Sequence, residues 1–377
     1  MVDLPFRAPV VTSVGTHRIR PLVLVRLVGR GPDGNPVEGW GECAALADTT
    51  YDAEDAAGAF ADLETRLLPG LVAAAHACGA VPPVAQLGGL NGGIGRPLAW
   101  AALEMAVADT HLRGIGRSFA DLLGVADRRV TPGAVLGLPR SVGELAADLD
   151  RLRAAGYARV KIKVAPGSEA IIDHAVRPLV GSGLLVQVDA NGAYGPDADE
   201  RLGLLDDLGL ACIEQPLGRD DFDGHRRLAE ALATPICLDE SLDSASRVVE
   251  AVESGACSVV CVKPSRLGGI GAALAVVDWC EARGVPWWIG GMFESGYARG
   301  VNRALAALPG PTLPGDLAPP RSYLAADVVP PVDGAVGGAT GRLTLPVPAG
   351  PGMGPPPDSA FLESVTTRRV VVQAPDA

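Results

Sequence analysis

ARVKIKVAPG, residues 158–167, alternates basic and aliphatic side chains from Arg159 to Lys163 and then breaks on Pro166 and Gly167. Alternation of this kind marks a short strand closed by a turn, with Lys161 and Lys163 on one face and Ile162 on the other. The next comparable run, LLVQVDANG at 184–192, carries Asp189 at its end. Working outward in both directions, the same unit appears as TPGAVLG, ACIEQPL, TPICLDES, SVVCVKPS, VPWWIGGM and PTLPGDL. The eight runs end on Gly137, Lys163, Asp189, Glu214, Asp239, Lys263, Gly290 and Asp316, at intervals of 24 to 27 residues. So steady a period signals one repeated supersecondary unit.

Each interval holds a strand of five or six residues, a helix of ten to twelve and two short loops, the βα unit of a parallel barrel. SVGELAADLDRLRAAG, for example, places Val142, Leu145, Leu149 and Leu152 at helical spacing and stops on Gly156. An open doubly wound sheet also alternates strand and helix, but regular spacing over eight strands favours closure. The expected fold class is α/β: a (β/α)7β TIM-like barrel over residues 126–334 behind an α+β capping domain over 1–125. In the latter, RIRPLVLVRLVGRGPDGNPVEGWGECAAL predicts a hairpin, followed by helices near 52–77 and 97–113. The Pro/Gly-rich tail, about 335–377, contains RRVVVQ, read as a strand returning to the first domain.

Composition narrows the function. A net charge of −12 over 377 residues argues against a nucleic-acid partner, which demands a basic surface. Seven cysteines without a Cys-x-x-Cys pair read as buried free thiols. With no signal-peptide pattern and no apolar run of about 18 residues, the expectation is a cytoplasmic protein with no membrane partner. GGLNGGIG (88–95) and SRLGGIGAA (265–273) look superficially like nucleotide loops, but the first follows no strand and the second opens a barrel helix.

Barrel chemistry sits at the C-terminal ends of the strands. Asp189, Glu214 and Asp239 end three successive strands, so they crowd one mouth, where they repel unless a cation lies between them. Each alone reads as a helix cap or an arginine partner; three in phase read as ligands, and an all-oxygen set suits Mg²⁺, with Mn²⁺ as substitute. The chain has only three lysines, 161, 163 and 263, against 29 arginines. Lysine, unlike arginine, can be tuned to give up a proton. Lys161 and Lys163, side by side inside the barrel, are expected to depress each other's proton affinity, and Lys263 lies across the acids from Lys163; salt bridges to the same acids are the plainer reading, and the two are compatible. The layout suits abstraction of a proton next to a carboxylate, in which a metal and an ammonium stabilise the enediolate.

VKIKV, VDANGAY, IEQPL, CLDES and VKPSRLGGI, in this order and at these separations, resemble the muconate-lactonizing branch of the enolase superfamily, above all o-succinylbenzoate synthases that also racemise N-acylamino acids. GWGEC, GGMFESG, LPGD and VPAGPGMG extend the resemblance over nearly the whole chain. It implies a lyase or racemase acting on a small carboxylate, a role in menaquinone biosynthesis, and a homo-oligomer. It implies Asp189, Glu214 and Asp239 as Mg²⁺ ligands, Lys163 and Lys263 as bases on opposite faces, Lys161 as support for the enolate, and Asn191 and Glu240 as groups that orient the ligands. Arg266 matches an arginine of the racemase-competent group, whose charge would ease proton loss from Lys263. Substrate selection falls to loops near 13–20 and 46–52, with Thr50 and Tyr51, to Val135 at the first barrel strand, and to Gly291, Met292 and Phe293 at the seventh. Two positions depart from the pattern: Val135 replaces a small hydroxyl residue, and Thr49 and Thr50 replace a proline and an apolar residue. Muconate cycloisomerase and dipeptide epimerase use the same five residues, and a non-catalytic metabolite-binding barrel is the reading from another class.

Overall fold

The computed structural model describes residues 1–377 except 13–14, 31–33, 92–95, 126, 311–312, 338–340 and 375–377. Strands β1 (Val2–Thr12), β2 (Gly15–Arg30) and β3 (Pro36–Cys43) form an antiparallel sheet in the order β1-β2-β3. The β2–β3 hairpin is the expected one, in register from Val23↔Cys43 to Arg30↔Pro36. β1 was not anticipated: Pro5 and Pro9 interrupt its pattern, and its pairing with β2 breaks register between Pro5 and Val10. Of the expected loop at 13–20, residues 13–14 lie outside the described residues and 15–20 belong to β2.

Helical turns run from Ala56 to Cys78, and a long helix spans Pro97–Gly114. The long helix is buried almost all round because it lies between the cap sheet and the barrel. Two glycines of GWGEC permit that approach: a Cβ on Gly41 would sit 2.0 Å from the Ala102 carbonyl oxygen, and one on Gly39 would strike Thr110. The helix also serves the barrel. Glu104 accepts from the Gly271 N–H at 2.9 Å and from the Ile270 N–H, capping helix Ile270–Arg283. That contact needs Gly269 beside it, at φ +114°, where any side chain would collide with the Glu104 carboxylate. The glycines of SRLGGIGAA therefore shape a helix start braced by the cap, while residues 92–95 of GGLNGGIG lie outside the described residues.

After β4 (Arg129–Val130) come seven parallel strands: β5 (Gly133–Leu136), β6 (Arg159–Lys163), β7 (Leu185–Asp189), β8 (Ile213–Glu214), β9 (Ile236–Leu238), β10 (Val259–Val262) and β11 (Trp287–Ile289). They lie in sequential order in one curled sheet, with helices between them. The eighth run supplies a backbone bridge rather than a regular strand. The Gly133 N–H donates to the Gly315 carbonyl (2.7 Å) and the Asp316 N–H donates to the Ile289 carbonyl (2.9 Å), joining both sheet edges. Val160, Ile162, Val188, Ile213, Ile236, Val260 and Val262 are buried beneath the helices.

In the tail, β12 (Ala335–Gly337) pairs with β13 (Arg342–Pro346), which in turn pairs with β4. The chain then runs back along β1: Val2 bridges Thr366, the Met1 ammonium donates to the Arg368 carbonyl (2.6 Å), and Arg368 pairs with Glu64. RRVVVQ itself is not a strand, because Arg368 and its neighbours meet the cap through these termini and side chains instead of a ladder.

Candidate active site

Alternation along β6 and its register with β7 assemble the mouth. Lys161 pairs with Val135 and Gln187, Lys163 with Asp189, and Asp189 with Glu214. Asp239 and Lys263 follow directly on the ends of β9 and β10. The three acids and Lys161 and Lys263 are almost wholly buried.

Lys161 Nζ sits among three carboxylates: Asp316 at 2.7 Å, Glu214 at 3.1 Å and Asp189 at 3.2 Å. Lys163 Nζ touches Asp189 and Asn191, each at 2.6 Å. On the far side Lys263 Nζ donates to Asp239 and to the Tyr51 hydroxyl, each at 2.7 Å, and that hydroxyl donates to Asp239 at 2.7 Å. The two outer lysines thus contact opposite members of the acid row.

For Lys161, the expected depression of proton affinity is corrected by this geometry. Burial pulls the Lys161 ammonium down, but Asp316, Glu214 and Asp189 outweigh it and hold its pKa well above the ordinary lysine value. Lys263 behaves similarly: burial lowers it, Asp239 raises it, Arg266 lowers it again, and the net direction is up. Arg266 does oppose the charge of Lys263, yet Asp239 prevails. Nor is Arg266 presented to a substrate. It is 1% exposed, with Nε 2.9 Å from Asp52 and Nη1 on Asp239, so it ties the cap loop to the acid row. Its guanidinium also stacks 4.8 Å from the Tyr51 ring centre.

Burial, then the charge of Asp189, pushes the Glu214 carboxyl up to about 8 although Lys161 opposes the shift. Burial and the charges of Asp239 and Asp189 push Glu240 to about 7. Its Oε1 accepts from Asn191 at 2.7 Å, while its buried Oε2 has no partner among the described residues. An oxygen-rich set with an orphaned carboxylate oxygen fits a hard divalent cation. The convergence is uneven, however. Glu214, Asp239 and the unforeseen Cys261 bring ligand atoms within 4.8 Å of one another, whereas Asp189 stands outside that group, drawn toward Lys163 and Lys161.

Residues 144–360 match the family described as enolase C-terminal domain-like. Over 371 residues the chain is 41% identical to the N-succinylamino acid racemase of Amycolatopsis sp, covering 98% of this chain and 96% of that one. The chain belongs to the enolase superfamily. The o-succinylbenzoate synthase of Geobacillus stearothermophilus is 35% identical, covering 97% of this chain and 94% of its own. Among solved structures, a probable mandelate racemase from Alicyclobacillus acidocaldarius superposes with a TM-score of 0.88 at 34% identity, covering 97% and 94% of the two chains. The enolase-superfamily assignment makes this chain an enzyme and agrees with its curled parallel sheet and separate cap. Among the described residues no helix is long and apolar enough to cross a membrane.

The residues expected to select substrate are dispersed. Val135 lies on the Lys161 face and is 44% exposed, an apolar surface open at the mouth. Tyr51 reaches the acids, but Thr50 is exposed and bonds Asp48 within its own loop. Met292 is buried in the cap core, Phe293 packs edge-on against Phe6 and Tyr323, and Gly291 leaves room for the Arg299 guanidinium. These three residues line the seam between cap and barrel. Arg20 sews that seam, donating to the carbonyls of Ala44 and Ala45 (2.6 Å each), Met292 (3.0 Å) and Phe293 (3.1 Å). Residue-by-residue reading missed Arg20, and it missed Gln187, Arg159 and Asp316, which form a chain of contacts under Glu214 and Lys161. Asp316 had one signal: it is the eighth mark of the period.

Proposed function

We propose that this enzyme removes the proton α to a substrate carboxylate with the help of Mg²⁺, acting as an N-succinylamino acid racemase, an o-succinylbenzoate synthase, or both. The observation that carries the reading is the pair Lys163 and Lys263, 2.6 Å and 2.7 Å from Asp189 and Asp239 respectively, at opposite ends of the acid row. Asp189, Glu214 and Asp239 would hold the ion, with Asn191 and Glu240 orienting them. The ion would supply Lewis-acid stabilisation of negative charge on the substrate carboxylate.

The residues divide the remaining work by environment. Lys163 takes the Cα proton onto Nζ. Lys161, held as an ammonium by its three carboxylates, offers fixed positive charge to the enolate oxygen and does not act as a base. In racemisation, protonated Lys263 returns a proton to Cα from the other face, and the roles reverse for the opposite enantiomer. In dehydration Lys163 passes its proton to the departing hydroxyl while Lys263 remains charged. Tyr51, whose phenol burial and Asp239 hold well above its ordinary pKa, stays protonated and closes the Lys263 side of the mouth. Val135 suits an apolar portion of the acyl arm better than a charged one.

Chiral chromatography of L- and D-N-succinylamino acids incubated with enzyme and Mg²⁺, alongside an assay of o-succinylbenzoate formation, tests the assignment. Interconversion or dehydration that disappears in Lys163→Ala supports it. Failure of both reactions under saturating Mg²⁺ refutes it.

A further inference from the structure

Two positions before Glu214, Asp239 and Lys263 stand Cys212, Cys237 and Cys261. Residues two apart on a strand share a face, so the three thiols lie one layer beneath the mouth. There they pack together with Val259 and Trp288, all buried. Packing alone accounts for Cys212 and Cys237, since a free thiol fills a core as a small apolar group. It does not account for Cys261. That sulfur comes within 4.8 Å of carboxylate oxygens on both Glu214 and Asp239, which lie within the same limit of each other. It is 2% exposed and makes no hydrogen bond among the described residues.

A thiol and two carboxylates at one point are a mixed soft and hard donor set. Magnesium takes oxygen almost exclusively, whereas zinc-like ions accept sulfur and oxygen together. Tetrahedral bonds of about 2.0–2.3 Å put donor atoms about 3.5 Å apart, so a contraction of about 1 Å would close this group around such an ion.

We propose that Cys261, Glu214 and Asp239 form a site for a thiophilic divalent cation of the zinc or cadmium class, which competes with magnesium by taking two of its carboxylates. On binding, the Cys261 S–H bond breaks, sulfur donates its electron pair to the ion, and the proton passes to water; no redox change occurs. The inference shares Glu214 and Asp239 with the magnesium reading but requires neither proton abstraction nor magnesium itself. It also gives the enzyme a defined route to inhibition by such ions.

Cadmium is the probe. In a Cys78→Ser background, which removes the exposed thiol, full-length enzyme is titrated with Cd²⁺ while the ultraviolet thiolate-to-cadmium charge-transfer band is followed. The expected result is a band saturating at one equivalent, abolished in Cys261→Ser, with affinity lowered at least about 10–100-fold, the loss that follows removal of even an outer-shell partner. The Cd²⁺ concentration that inhibits Mg²⁺-dependent exchange should rise by the same factor. Cys261→Ala gives the same reading if the serine variant does not fold. No band in the parent, or a band that survives in both Cys261 variants, overturns the inference. A band without any Mg²⁺-dependent exchange instead counts against the catalytic reading alone.

Discussion

Replacing Arg266 with methionine tests whether the cap is latched to the acid row through one guanidinium. Methionine keeps most of the length and apolar bulk of the side chain but none of the charge. In the native protein Arg266 Nε and Nη2 lie 2.9 Å and 3.3 Å from the two oxygens of Asp52, which is 7% exposed. Asp239 loses a partner as well but keeps Lys263 and Tyr51, so the uncompensated charge falls chiefly on Asp52. Stranding one buried partner costs about 3–5 kcal/mol. Loss of the stacking on Tyr51 lies within that range. Asp52→Asn is milder, because Arg266 retains Asp239, and should cost about 1–3 kcal/mol. Once Arg266 is gone, neutralising Asp52 removes the stranded charge, so the double variant should be more stable than the sum of the singles by about 1–3 kcal/mol. Urea unfolding followed by far-ultraviolet circular dichroism measures all three. A cost below about 1 kcal/mol for Arg266→Met, with strictly additive effects, would refute the latch.

Three further outcomes follow from the same geometry. Burial moves the Glu42 carboxyl from its ordinary 4.5 to about 7 against hydrogen bonds from Ser295. A raised carboxyl favours the folded state at low pH, and that contribution is lost as pH climbs from about 4.5 through about 7. Glu42→Gln lacks this titration, so its stability relative to the parent should improve by about 3 kcal/mol between pH 4.5 and 8, read from denaturation midpoints across pH. Asp316→Asn removes the carboxylate nearest Lys161, at 2.7 Å; the Lys161 pKa falls, and the alkaline limb of the kcat/KM profile should move to lower pH. Magnesium at about 100 times its Kd should stabilise the fold by about 2.7 kcal/mol in thermal melts, an effect removed by EDTA and by Asp189→Asn.

What the sequence disclosed and what it hid divide along chain separation. The Lys161–Ile162–Lys163 alternation and the 24- to 27-residue period depend only on neighbours in a strand and on repetition of one unit, so the parallel sheet and the order of its acids and lysines were legible. Asp316 lies 157 residues from Arg159, and Arg20 lies 272 from Met292. No local pattern announces such pairs. The protonation of Lys161 was misjudged for a related reason: its neighbour Lys163 is visible in the sequence, but the three carboxylates that outweigh it arrive from two other strand ends and from the eighth run. RRVVVQ misled because β-branched composition describes what a segment tolerates, while pairing depends on a free edge at the right place. Cys261 was hidden in an apolar run, and only the barrel's curvature brings its sulfur to Glu214 and Asp239.

The most direct measurement of the central claim is the face of the substrate at which each lysine works. Single enantiomers of an N-succinylamino acid, incubated in D₂O with Mg²⁺ and either Lys163→Ala or Lys263→Ala, are analysed by proton NMR for deuterium at Cα. The account predicts that each variant still exchanges the one enantiomer whose proton faces its surviving lysine, loses exchange of the other, and racemises neither. Exchange of both enantiomers at parental rates in either variant would contradict it.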